Sequence, residues 1–162
     1  MALEDWQRML DVNLTGYLRC AQAFGRPMLE RGHGALVHIG SIAGQHAQGF
    51  SNAYSPTKAG VSMLSRQLAF EWGPRGVRSN VVAPGLVRTP LSEAFYADEQ
   101  TKAAREAVVP MRRIGRVEDI AEVVLFLASD RAGYVSGQEI IDDGGFAQTL
   151  MSHVPRPGYS KN

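Results

Sequence analysis

Three short segments, the apolar run Ala35–Ile39 and the stretches Val77–Ala83 and Gln138–Ile141, read as strands and are separated by stretches with helical spacing. Strands held that far apart by helices cannot close as hairpins, so they pair in parallel through crossovers. The chain is therefore expected to be α/β, with a doubly wound parallel sheet. Three strands are few for such a sheet, which must be covered on both faces and at its edges. The pattern reads as part of a larger sheet.

Between the runs, the first thirty residues predict one long helix over 2–31. Leu3, Leu10, Tyr17 and Phe24 recur every seven residues, with Trp6, Leu14, Ala21 and Met28 beside them. Glu4 and Asp5 sit in its first turn, where the helix dipole favours negative charge. A second helix is expected over 53–72, with Pro56 in its first turn, where a missing N–H costs nothing. Val61, Leu64, Leu68 and Trp72 form one face of it, and Met63, Gln67 and Phe70 a second, so this helix should contact a sheet and something else. Residues 91–109 predict a helical, exposed and mobile segment, and Val117–Ser129 a third firm helix. The organisation expected is one domain over 1–150 and an extended tail over 151–162.

Composition narrows the function. With 17 Lys+Arg against 16 Asp+Glu the net charge is +1, which gives no electrostatic footprint for nucleic acid or an anionic membrane. The single cysteine, Cys20, excludes a disulfide framework, and no apolar run approaches the roughly 20 residues that span a bilayer. His33, His38, His46 and His153 show no metal-ligand spacing, so no metal is expected. Asp142 and Asp143 read as turn-formers at a strand end. These features predict a soluble, cytoplasmic chain.

Tyr54 and Lys58 stand four apart at a helix start, hence on one face. An ammonium about 4 Å from a phenol, at an effective dielectric near 20, favours the phenolate by up to about 4 kcal/mol. A shift of that size lets a phenol exchange a proton near neutral pH. The same spacing also describes a half-buried aromatic beside a solvated lysine. Ser41 follows a strand at the end where open α/β sheets place ligands; it reads either as a turn cap or as a hydroxyl for a substrate oxygen. Asn13 interrupts the apolar stripe of the first helix, and either sets the register of a helix pair or belongs to a site.

Together, VNLTG around Asn13, HIGSIAG with Ser41, YSPTK with Tyr54 and Lys58, and the Pro84-Gly85-Leu86-Val87-Arg88-Thr89 turn resemble the short-chain dehydrogenase/reductase family. The resemblance continues through Arg113-Ile114-Gly115, Glu118-Asp119-Ile120-Ala121 and Asp143-Gly144-Gly145. It implies the last three strands of a Rossmann-like sheet and an NAD(P)-dependent interconversion of a secondary alcohol and a ketone. By the same resemblance, Tyr54 is the acid/base and Ser41 orients the substrate oxygen. Lys58 favours the phenolate and holds the nicotinamide ribose, while Asn13 supports a water-linked relay to Lys58. Pro84, Gly85, Val87 and Thr89 would contact the nicotinamide and pyrophosphate side. A homo-oligomer, dimer or tetramer, through helices 2–31 and 53–72 is implied as well.

The family's T-G-x-x-x-G-x-G turn, its N-N-A-G segment and the residue that chooses NAD or NADP have no counterpart in this sequence. The cofactor expectation is therefore NAD or NADP without preference. The alternative reading is a truncated, inactive homologue that serves only in subunit assembly or arises from a gene fragment.

Overall fold

A computed structural model describes residues 1–155 and 158. Its parallel sheet has the order β1-β2-β3, with β1 at Gly34–Ile39, β2 at Val77–Pro84 and β3 at Glu139–Asp142. Both pairings are parallel, Gly34 opposite Val77 and Val81 opposite Glu139. The helices are α1 (Leu3–Leu10), α2 (Gly16–Arg31), α3 (Tyr54–Trp72), α4 (Glu99–Val108) and α5 (Val117–Ala128).

The sheet separates two apolar clusters. Ala21 of α2, Leu36 of β1 and Leu68 of α3 pack on one face, with Met28, Leu64 and Trp72 around them. Val82 of β2, Leu127 of α5 and Ala132 pack on the other, with Val37 and Ile140. Leu36 and Val37 point to opposite faces, as the two-residue strand period requires. Fully burying a side chain such as Leu127 or Val82 stabilises by about 1.5–3 kcal/mol. Arg78 ties the α5 layer down by donating to the carbonyls of Leu127, Ser129 and Val135. Asn80, fully buried, donates to Val135 O and accepts from Gln138 N.

The helical path from Leu3 to Arg31 is not one regular α-helix. Asp11–Thr15 form a π-helical turn between α1 and α2. Its extra residue rotates the downstream face, so the heptad Leu3, Leu10, Tyr17 and Phe24 does not stay on one side. Leu3 is 79% and Phe24 64% exposed. The face that packs runs instead through Leu14, Tyr17, Ala21 and Met28, with Leu14 against Gly60 and Met28 against Gly34. In α3 the two faces separate as expected. Val61 and Leu68 are buried, while Met63 and Phe70 are exposed.

Residues 91–109 differ from expectation. They form a 3-10 turn at Glu93–Tyr96 followed by α4, and the segment is anchored rather than wholly exposed. Tyr96 and Val109 are buried, and the Arg105 guanidinium lies 5.0 Å from the Phe95 ring and 5.2 Å from the Tyr96 ring. Asp98 caps α4 by accepting from Thr101 N at 2.7 Å. In the expected tail, Leu150–His153 make a 3-10 turn, and residues 156, 157 and 159–162 lie outside the described residues. Among the described residues β1 is an edge strand, and a groove of about 370 Å³ runs between it and α2. No described helix is long and apolar enough to cross a membrane.

Candidate active site

Ser41 lies just beyond β1 and Gly85 just beyond β2, at the carboxyl end of a parallel sheet, where such folds place ligands. Gly40 N donates to Val82 O at 2.7 Å and carries the pairing one residue past β1. Ser41 is extended, and its Oγ accepts from Ala43 N at 3.1 Å, capping the turn Ile42–Gly44. Its hydroxyl proton reaches no acceptor among the described residues, so the cap leaves a donor for another group.

The helix α3 opens at Tyr54, and Thr57 closes its first turn by donating to Tyr54 O at 2.7 Å. One turn on, Lys58 is 8% exposed, and its Nζ donates to Ile39 O at 2.9 Å and to Tyr17 Oη at 3.3 Å. Tyr17 Oη donates to the same carbonyl at 2.8 Å. The ammonium stands 5.2 Å from the Tyr17 ring centroid and 5.8 Å from that of Tyr54. Burial draws the Lys58 pKa below its usual value. Burial raises the Tyr17 phenol, with Tyr54 and Cys20 adding to it. An ammonium has three N–H donors, and the third has no partner among the described residues.

The spacing argument placed Tyr54 and Lys58 on one face, and they share it. Tyr17 entered that argument only as an apolar-stripe residue. A phenol four residues after Asn13 carries no motif, so nothing in the sequence marked it. Asn13 sits half-buried in the π-helical turn, and its side chain makes no hydrogen bond among the described residues. The structure does not join that amide directly to Lys58.

Pro84 pairs with Asp142, and Gly85 N donates to Asp142 O at 3.0 Å. A Cβ on Gly85 would stand 2.5 Å from Asp143 Cβ, so the approach of the two strand ends needs glycine. Val87 bridges Gly115, and Thr89 turns inward on its own loop, its N–H donating to Ser92 Oγ at 2.8 Å. Beside this turn lies a cavity of about 300 Å³ bordered by Leu86, Arg113, Asp119, Ile120 and Asp142. Arg113 hydrogen-bonds Asp119 at 2.6 Å and holds its carboxyl down at about 2. Asp143 forms the expected turn, accepting from Gly145 N and Ala147 N. Asp142 Oδ2 is buried without a partner among the described residues, and burial, then Asp119 and Asp143, push its pKa up.

Comparison with known proteins shows the family of the chain. The profile of the family described as Enoyl-(Acyl carrier protein) reductase matches residues 1–147. Galactitol 2-dehydrogenase of Rhizobium johnstonii is 42% identical over 144 residues, covering 88% of this chain and 56% of that protein. 3beta-hydroxysteroid dehydrogenase 1 of Eggerthella lenta is 38% identical over 145 residues, 89% of this chain and 56% of that protein. A crystal structure of a gluconate 5-dehydrogenase from Burkholderia cenocepacia, in complex with NADP and tartrate, superposes with TM-score 0.87 at 32% identity. That superposition covers 93% of this chain and 59% of the other. The chain thus spans little more than half the length of the relatives it matches. With its sheet, its motifs and its sequence all agreeing, the chain belongs to the short-chain dehydrogenase/reductase family.

Proposed function

We propose that the chain carries the proton-transfer site of an NAD(P)-dependent oxidoreductase that interconverts a secondary alcohol and a ketone. The observation that carries this reading is the buried Lys58 ammonium. It is held by an uncharged phenol and a carbonyl one turn from Tyr54, and has one N–H left over. That spare donor fits a ribose hydroxyl, so the residues present suit a nicotinamide dinucleotide. Hydride exchange with the substrate carbon is the chemistry a nicotinamide supplies when bound. The relatives are named as dehydrogenases of galactitol and a hydroxysteroid, and one solved neighbour holds NADP. Polyols and sugar acids are accordingly the first substrates to try, with NAD and NADP both tested.

In oxidation, Tyr54 Oη takes the hydroxyl proton of the substrate as its carbon loses hydride; in reduction it returns that proton to the carbonyl oxygen. Lys58 favours the phenolate electrostatically. Ser41 donates its unused proton to the same substrate oxygen and fixes it against Tyr54. General acid–base transfer of this kind contributes about 10²–10⁴-fold, and positioning adds to it. Asn13 serves a relay through water to Lys58, and Pro84, Gly85, Val87 and Thr89 border the nicotinamide and pyrophosphate side. The exposed Phe24, Met63 and Phe70 are the faces through which α2 and α3 meet a second copy.

Turnover of galactitol, gluconate and matching ketones with both cofactors tests the reading. The chain is expected to turn over at least one pair, and Tyr54→Phe to remove nearly all of it. Equal turnover in the two would overturn the assignment, and no turnover in either would favour an assembly-only homologue.

A further inference from the structure

Lys58 is where α3, α2 and β1 converge, yet its ammonium forms no ion pair among the described residues. The groups facing it are the Tyr54 ring from its own helix, the Tyr17 phenol from α2 and the Ile39 carbonyl from β1. Cys20, also on α2, acts on the Tyr17 phenol. Tyr17 Oη gives its proton to Ile39 O, so the lone pair left on that oxygen is the one that meets Lys58 Nζ. Nζ, Oη and the carbonyl oxygen close a triangle with sides of 3.3, 2.8 and 2.9 Å.

A buried ammonium without a counter-ion costs free energy unless polar groups replace its water. Ile39 O supplies one acceptor, and Tyr17 supplies the second together with the face of its ring. Two acceptors from two different elements fix the Nζ position, where a single carbonyl would leave it free to swing.

We propose that Tyr17 is a positioning residue for Lys58: its phenolic oxygen pins the ammonium against β1, so that the remaining N–H points to where the ribose would bind. The consequence for cofactor rests on the oxidoreductase reading, while the link between Tyr17 and Lys58 does not. Tyr17 lies in the first turn of α2, directly after the π-helical turn Asp11–Thr15 that sets the rotation of α2 relative to α1, and it reaches β1 and α3 through its hydrogen bonds with Ile39 O and Lys58 Nζ.

The test is a side-chain carbon NMR titration of the chain through the alkaline range, with labelled lysine Cε and tyrosine Cζ. The chain has three lysines, Lys58, Lys102 and Lys161, so the Lys58 signal is readily assigned. In the parent chain the Tyr17 Cζ resonance is expected to step at the Lys58 midpoint. In Tyr17→Phe, which keeps the ring and removes the oxygen, the Lys58 midpoint is expected to fall by about one unit. A general loss of structure would instead release Lys58 from burial and raise its midpoint, so the expected fall is distinguished from unfolding, and the circular dichroism of the variant is expected to match the parent. An unmoved Lys58 midpoint in Tyr17→Phe overturns the proposal. So does a parent Tyr17 signal that ignores Lys58, a result that needs no variant to fold. Titrating NADPH into both proteins then reads the consequence, with affinity expected to be weaker in Tyr17→Phe. If no dinucleotide binds the parent chain, the oxidoreductase reading fails, and the cofactor-free titration still decides the role of Tyr17.

Discussion

Gly44 and Lys58 meet backbone to backbone: a Cβ on Gly44 would lie 2.9 Å from the Lys58 carbonyl carbon and 3.0 Å from Ala59 N. The turn that begins at Ser41 is thereby pressed onto the first turns of α3, which carry Tyr54. Neither neighbour is the loose end of a side chain, so a larger residue must push the turn away. Gly44→Ala is expected to cost about 1–3 kcal/mol in urea unfolding. It should also lower kcat more than it weakens dinucleotide binding, because it moves Ser41 relative to Tyr54 and leaves Lys58 in place. Unchanged stability and turnover would show that the close approach is not needed.

Tyr54→Phe removes only a hydroxyl from a half-buried ring. Turnover is expected to fall by about 10²–10⁴-fold, with dinucleotide affinity within about threefold, since the contacts assigned to Lys58 and to Pro84–Thr89 remain. Steady-state kinetics with a parallel binding titration checks both numbers.

Asp142 carries a carboxyl whose pKa is raised by burial and by the neighbouring Asp119 and Asp143. A carboxyl with a raised folded pKa contributes its stability below the unfolded pKa, and loses it as pH rises through the folded value. At neutral pH the ionised group is therefore a liability. Asp142→Asn is expected to raise the Tm at pH 7 by about 1–3 °C, and the gain should shrink as the pH drops into the carboxylate range. A lower Tm at pH 7 would contradict this.

All three strands were located within about a residue of their observed ends, because turn residues close each one: Gly40 after β1, Gly85 after β2 and Gly144-Gly145 after β3. The placement of Tyr54 and Lys58 on one helical face, and of Ser41 just past a strand end, was legible because each depends on local spacing alone. What escaped was the rotation of the long N-terminal helix. A heptad reading assumes an unbroken α-helical phase, and the π-helical turn at Asp11–Thr15 leaves no trace in residue spacing. Tyr17 consequently looked like one more apolar residue. The anchoring of 91–109 escaped as well, since Tyr96 and Val109 are isolated apolar residues in a polar stretch and only tertiary contacts bury them.

Phe70 is 85% and Met63 59% exposed on the outer face of α3, while the residues behind them are buried. If this face joins a second copy, Phe70→Asp is expected to shift the chain from oligomer to monomer in light scattering while its circular dichroism is retained. A parent chain that is already monomeric would remove the interface.

The central claim, that Lys58 and its neighbours form a nicotinamide-dinucleotide site, is tested most directly by fluorescence titration of NADH and NADPH into the parent chain and Lys58→Met. Saturable binding at micromolar concentration, weakened in Lys58→Met, is the predicted result. Absence of binding at millimolar dinucleotide, or equal binding by the two proteins, would contradict it.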